Sequence, residues 1–118
     1  MTTEAGWPWA TTPPMLFIAN SIIWGNTAGF TSHPSQISTY AGGFVLASYS
    51  DVEGGFAGVG NIDTDPLFVD AAVGDYHLQA GSPCIDAADP LTTLTEDIEG
   101  NPRPAGSGYD MGAYEYQP

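Results

Sequence analysis

The sequence predicts an all-β chain: a short parallel β-helix of about three rungs, closed by an irregular C-terminal cap. Three observations lead there. The chain holds 15 Gly and 10 Pro in 118 residues, with no long helical period, a composition that favours short strands joined by turns. Its apolar residues come in short contiguous runs, Leu16, Phe17 and Ile18, then Phe44, Val45 and Leu46, then Leu67, Phe68 and Val69, which suits buried strands rather than amphipathic helices. Leu46 follows Ile22 by 24 positions and Leu67 follows Leu46 by 21, the spacing that stacked coils of three short strands would give.

One domain spanning 1–118 is expected, with 1–14 as a lead-in or N-terminal cover, 15–60 as rungs and 61–118 as last rung and cap. Residues 1–14 are rich in Pro and Thr, and Trp7 and Trp9 flank Pro8. Such a stretch is either a loose lead-in or a lid on the first rung, whose apolar cross-section has no earlier coil to cover it. Residues 15–24 read as that first rung. Asn20 and Ser21 interrupt its apolar run, and a short polar residue at such a break tolerates the left-handed conformation of a corner. Residues 25–29 read as a loop and 37–40 as a short strand before Gly42 and Gly43. Phe44, Val45 and Leu46 open the second rung, with Tyr49 and Val52 beyond its corner.

The stretch 61–89 carries the cap. Pro66 fits at the start of a strand because it has no N–H to give a ladder. Val73, Gly74 and Asp75 supply a turn, and residues 76–79 alternate as a strand with Tyr76 and Leu78 on one face. Cys84 and Ile85 supply a further buried contact. Beyond Asp89 the periodicity fades: 91–96 reads as a helical turn or loose strand, 97–103 as a turn, and 110–116 as a final strand with Tyr114 and Tyr116 on one face.

The formal charge is −13, from 14 acidic residues against one Arg and no Lys. Nucleic acid and anionic membrane surfaces are excluded as partners, because nothing here neutralises phosphate. The longest apolar run, at 15–19, is too short for a membrane span, and residues 1–14 hold neither the basic nor the apolar segment of a signal peptide. A single cysteine excludes an internal disulfide, and Cys84, set in an apolar run, reads as a small buried hydrophobe.

Five groups of residues are candidates for chemistry. Arg103 is expected to pair with the Asp97 or Asp110 carboxylate and pin the tail, since a guanidinium matches carboxylate geometry with two parallel bonds. Asp63 and Asp65 share a strand face at roughly 7 Å and are the candidate acid pair of a carbohydrate-active enzyme, although Asp65-Pro66 is equally ordinary turn chemistry. Asp63, Asp65 and Asp70 are candidate calcium ligands, because calcium takes hard oxygens in number. Trp7, Trp9, Trp24, Tyr40 and Tyr49 are candidates for a glycan-stacking surface. His33 and His77 stand alone, with no nucleophile placed beside them.

The segments DPLFVDAAVGDYHLQAGSPCIDAAD, DIEGNPR and DMGAYEY, preceded by NSIIWGN and SYSDVEGG, resemble the C-terminal coils and cap of right-handed parallel β-helix proteins of the pectate-lyase-like superfamily. Within that superfamily they resemble in particular the large bacterial surface proteins of the choice-of-anchor Q type. The resemblance implies a right-handed coil and an extracellular or cell-surface setting, and with no signal peptide in view it implies the terminal piece of something larger. Lyases of that superfamily use a basic residue beside calcium, whereas this chain has no Lys and its one Arg lies in the tail. The function expected is a non-enzymatic structural or adhesive module taking glycan or calcium; the alternative is a residual carbohydrate-active domain using the Asp63 and Asp65 pair. Self-association through the N-terminal rung is expected, because an open rung leaves backbone groups and apolar side chains uncovered.

Overall fold

The computed structural model describes residues 15–27, 36–38 and 43–118. Strand β1 (Met15–Ala19) pairs in parallel with β3 (Phe44–Ser48), and β2 (Ile22–Ile23) pairs in parallel with β4 (Asp51–Val52). The sharp turns between β1 and β2 and between β3 and β4 fall on Asn20 (φ 55°) and Tyr49 (φ 49°), both in the left-handed region. An isolated parallel bridge joins Asp51 to Ile62. Strands β5 (Phe68–Asp70) and β6 (Asp75–Leu78) form an antiparallel hairpin closed by a 3₁₀ turn at Ala71–Val73, with Gly74 at φ 82°. Among the described residues there is no α-helix, and no helix is long and apolar enough to cross a membrane.

The regular elements are thus mostly short strands, but the expected three-rung parallel β-helix is not what the described residues form. Among the described residues the strands pair as three separate two-stranded sheets, one of them antiparallel, and no sheet coils into a solenoid. The cause lies in the spacing. A solenoid needs a near-constant repeat so that each coil lies flat on the last, yet Leu46 pairs with Phe17 at a separation of 29 while Ile62 bridges Asp51 at a separation of 11. Leu67, expected to stack in line with Leu46, instead takes φ 56° and turns the chain into the hairpin. The final strand expected at 110–116 is also absent: that segment is irregular, as is nearly everything after Leu78. Trp7, Trp9 and residues 39 and 40 of the strand expected at 37–40 lie outside the described residues, and 37 and 38 are irregular.

The buried core is small: Leu78, Cys84, Ala88 and Met111, flanked by Ile22, Tyr49, Ile62, Phe68, Ile85 and Tyr109. It sits where the hairpin and the C-terminal loops meet the parallel strands. Backbone bonds fasten the two parts together, with Met111 N–H donating to Cys84 O at 2.9 Å and Gly112 N–H to Asn20 O at 2.8 Å. Asn61 knits the 56–61 loop onto β3: its Nδ2 donates to Ala47 O and Phe56 O, and its Oδ1 accepts from Ser50 N–H.

In the C-terminal region buried carboxylates do the work that strands do elsewhere, by accepting hydrogen bonds from loop N–H groups that have no ladder. The Asp97 carboxylate accepts from the backbone of Glu99, Asn101 and Glu115. Burial pushes its carboxyl up, but these bonds outweigh that and hold it below the ordinary range. Asp110 is 2% exposed and accepts from Asp86 N–H at 2.8 Å and Tyr116 N–H at 2.6 Å. There burial wins, and the carboxyl lies above its ordinary range. Fully buried Asp51 is raised by burial too; it accepts from Thr64 N–H and, at 3.2 Å, from the Cys84 thiol.

Candidate functional site

Three stretches distant in sequence meet around an open cleft of about 690 Å³. The corner and strand after β1 give one wall, with Asn20, Ser21, Ile22, Trp24 and Asn26; the hairpin gives Phe68 and Tyr76; the tail gives Ile98, Gly112, Ala113 and Tyr114. None of these side chains carries a charge, although the whole chain stands at −13.

Each wall is held for an identifiable reason. The left-handed turn at Asn20 leaves its side chain free to cap a distant loop, and Oδ1 accepts from Asp89 N–H at 2.8 Å. Gly112 brings the tail against the corner, its N–H donating to Asn20 O at 2.8 Å. Its φ of 94° disfavours any side chain, and a Cβ there would lie 2.8 Å from Ile22 Cδ1. Phe68 and Tyr76 meet edge to face, with ring centroids 5.1 Å apart at 81°, a preferred aromatic geometry. The Asn26 amide is fixed by Gln36, donating from Nδ2 to Gln36 Oε1 at 2.9 Å.

Behind the third wall, the Tyr114 ring lies on His77 with centroids 4.0 Å apart. Asp75 Oδ1 is 2.6 Å from His77 Nδ1, and Glu99 Oε1 is 2.8 Å from Nε2. A neutral imidazole has only one N–H to donate, so two carboxylates favour the doubly protonated ring. Glu99 first, and then Asp75, raise the His77 pKa, and His77 lowers that of Asp75. This clasp ties the hairpin to the tail that carries Ile98 and Tyr114.

Of the residues singled out in the sequence, Trp24 lines the cleft, whereas Trp7, Trp9, Tyr40 and His33 lie outside the described residues. Tyr49 is not in the cleft. It occupies the second left-handed corner, Gly60 lies against its ring, and the side chain packs on the core. Asp63 and Asp65 both accept backbone N–H groups, from Gly54 at 3.1 Å and Leu67 at 2.9 Å. The second is an ordinary Asx turn, and neither residue lines the cleft. Asp70 is exposed at the start of the 3₁₀ turn and makes no side-chain cap bond. Among the described residues, no three or more His, Cys, Asp or Glu side chains form a group able to hold a metal ion.

The expected pairing of Arg103 with Asp97 or Asp110 is corrected by the geometry. The carboxylate facing the guanidinium is that of Glu115, at 3.5 Å from Nε, with the Arg side chain 5% and the Glu side chain 1% exposed. Asp110 meets Arg103 only through its backbone carbonyl, at 3.3 Å from Nη1, and Nη2 donates to Gly112 O at 3.0 Å. All three carboxylates accept backbone N–H groups, but the bonds to Asp97 and Asp110 are short, 2.8 Å from Glu99 and 2.6 Å from Tyr116 among them. Those to Glu115, from Ala105 and Asp110, are both 3.3 Å and leave it the freest to face Arg103. Nε itself is buried without a hydrogen bond, so the pair is an electrostatic contact rather than a bidentate fork.

Sequence reasoning missed Phe68, Tyr76 and Tyr114 as cleft residues. It placed Tyr76 and Tyr114 on the faces of two strands, but no local signal connects either with Trp24. Cys84 is fully buried, and burial, followed by the neighbouring Asp51, pushes its thiol far above the ordinary range. Such a thiol is inert as a nucleophile.

Compared with known proteins, the chain matches no family model, no curated sequence and no solved structure. The resemblance to surface β-helix proteins therefore rests on the quoted segments alone.

Proposed function

We propose that this chain is a non-enzymatic binding module, structural or adhesive in role, whose cleft takes a neutral glycan. The observation that carries this reading is the cleft's lining: Trp24, Phe68, Tyr76 and Tyr114, with Asn20, Ser21 and Asn26, and no ionic side chain among the described residues. Sugar rings present C–H faces that aromatic rings cover, and their hydroxyls are met by amides and hydroxyls placed among those rings. A polyanionic glycan is disfavoured, since the surrounding chain is strongly acidic and would repel it. A hydrolase of the two-carboxylate kind needs a pair flanking the bound sugar, and among the described residues none that lines the cleft is a carboxylate.

The test is a titration of the full chain with neutral oligosaccharides, alongside acidic ones, by calorimetry or by tryptophan fluorescence. Neutral oligosaccharides are expected to bind and acidic ones to fail. Trp24→Ala and Tyr76→Ala are each expected to weaken binding about tenfold or more, the loss of one aromatic platform. Equal affinity in the Trp24→Ala protein, or no neutral sugar bound at all, would remove the glycan reading.

A further inference from the structure

The parallel pair β1/β3 presents an apolar face that nothing in the cleft reading uses. The register places Met15 beside Phe44 and Phe17 beside Leu46, and directly paired residues of a parallel sheet point to the same side. All four are open: Met15 at 50%, Phe17 at 70%, Phe44 at 55% and Leu46 at 51% exposure. Of their neighbours of opposite parity, Ile18, Val45 and Ala47 are half-buried or buried while Leu16, near the strand's start, is 56% exposed, so beyond Leu16 the other side of the sheet packs on the molecule and the side of these four faces outward. Contiguous apolar patches of roughly 400 Å², the area these four side chains expose, commonly mark interaction sites.

The distribution of charge selects the occupant. Residues 5–50 contain no Asp, Glu, Lys or Arg, and 13 of the 14 acidic residues lie at or beyond Asp51. A basic partner would be drawn to the second half of the chain and away from this face. A second copy, by contrast, can meet the first only where carboxylates are not brought together, and the β1/β3 face lies within the uncharged segment. From these observations we infer that the chain self-associates as a two-fold dimer through Met15, Phe17, Phe44 and Leu46. Two such patches bury roughly 800–1,000 Å² in total, at the lower limit for a specific interface. The dimer is accordingly weak and concentration-dependent. Because the contact is apolar and both partners are anionic, added salt screens the repulsion and tightens it. This inference is independent of the glycan cleft, since no residue is shared.

The experiment is sedimentation equilibrium of the full chain over a range of concentrations, at about 0.05 and about 0.5 M NaCl. A monomer–dimer equilibrium that shifts to dimer at the higher salt is expected. Phe17→Glu sets two carboxylates against each other across the two-fold axis and should weaken the dimer at least ~10-fold. Val73→Glu, at a side chain 77% exposed on the hairpin turn, should leave it unchanged. Both positions are exposed, so circular-dichroism melts of the two variants should match the parent. A monomer at every concentration overturns the proposal, since the face is then covered from within the chain or by another partner. So does an assembly that salt loosens or that Phe17→Glu leaves intact.

Discussion

Arg103 is the one strong base in a chain with 14 acids, and it is buried. Its guanidinium gathers the Asp110 and Gly112 carbonyls and faces Glu115, so it draws the tail inward at the point where Gly112 meets the corner. Glu115 is raised above the ordinary carboxylate range, by burial first, and Arg103 opposes that shift. Arg103→Met should therefore cost about 3–5 kcal/mol, because a buried carboxylate is left without its counter-charge. Arg103→Met combined with Glu115→Gln should recover a large part of that loss. Urea unfolding of the three proteins checks it, and a single-variant loss below about 1 kcal/mol would show that the pair does not hold the tail. His77 gives a second prediction at this scale. Its pKa is raised on folding, so its contribution to stability is complete below the ordinary histidine value of about 6.5 and is lost as pH rises through the folded value. Asp75 is lowered, so its contribution is present above the ordinary carboxylate range and lost as pH falls through its own folded value. The clasp is whole between those limits, in mildly acidic solution. Melting temperature against pH should fall on the alkaline side in the parent and flatten there in His77→Gln, while an NMR titration of His77 at or below the ordinary value would contradict the clasp.

The elements are short, and β2 and β4 hold two residues each. Strands of that length bury too little to hold themselves, which is why corners and loop anchors matter so much in this molecule. Two of the corners are non-glycine residues with positive φ, Asn20 and Tyr49. Asn20 is legible as a corner from the sequence, since a short polar residue breaking an apolar run is suited to that conformation. Tyr49 is not, because an aromatic residue is held there only by packing against Gly60 and the core. Gly112 joins the elements that form the cleft. Gly112→Ala places a methyl group against Ile22 at a φ of 94° and should lower stability by at least ~1 kcal/mol. It should also weaken ligand binding, since the Asn20 wall and the Tyr114 wall meet there. A thermal melt and a repeat of the sugar titration test both effects, and an unchanged melt would mean that the tail yields without strain.

Across the whole molecule, the uncharged segment 5–50 carries the open apolar face, and an acidic second part is folded around its own carboxylates. What the sequence by itself determined is the chemistry that neighbours in the chain decide. Short apolar runs gave strands at β1, β3 and β5, and alternation gave β6; Asp65-Pro66 gave an Asx turn; Val73, Gly74 and Asp75 gave the hairpin turn; and the setting of Cys84 gave a buried thiol. These follow from backbone preferences and local hydrogen bonds that act over a few residues. Only the tertiary structure decided which strand lies beside which, which carboxylate faces Arg103, and which aromatics share a cleft. Those outcomes join residues as far apart as Asn20 and Asp89 or Trp24 and Tyr114. Each depends on competition: Glu115 faces Arg103 because backbone N–H groups hold Asp97 and Asp110 by shorter bonds than they hold Glu115, and the hairpin replaces a further coil because Leu67 turns left-handed. A choice among distant partners that burial and hydrogen bonding settle together is not written in the spacing of a single chain.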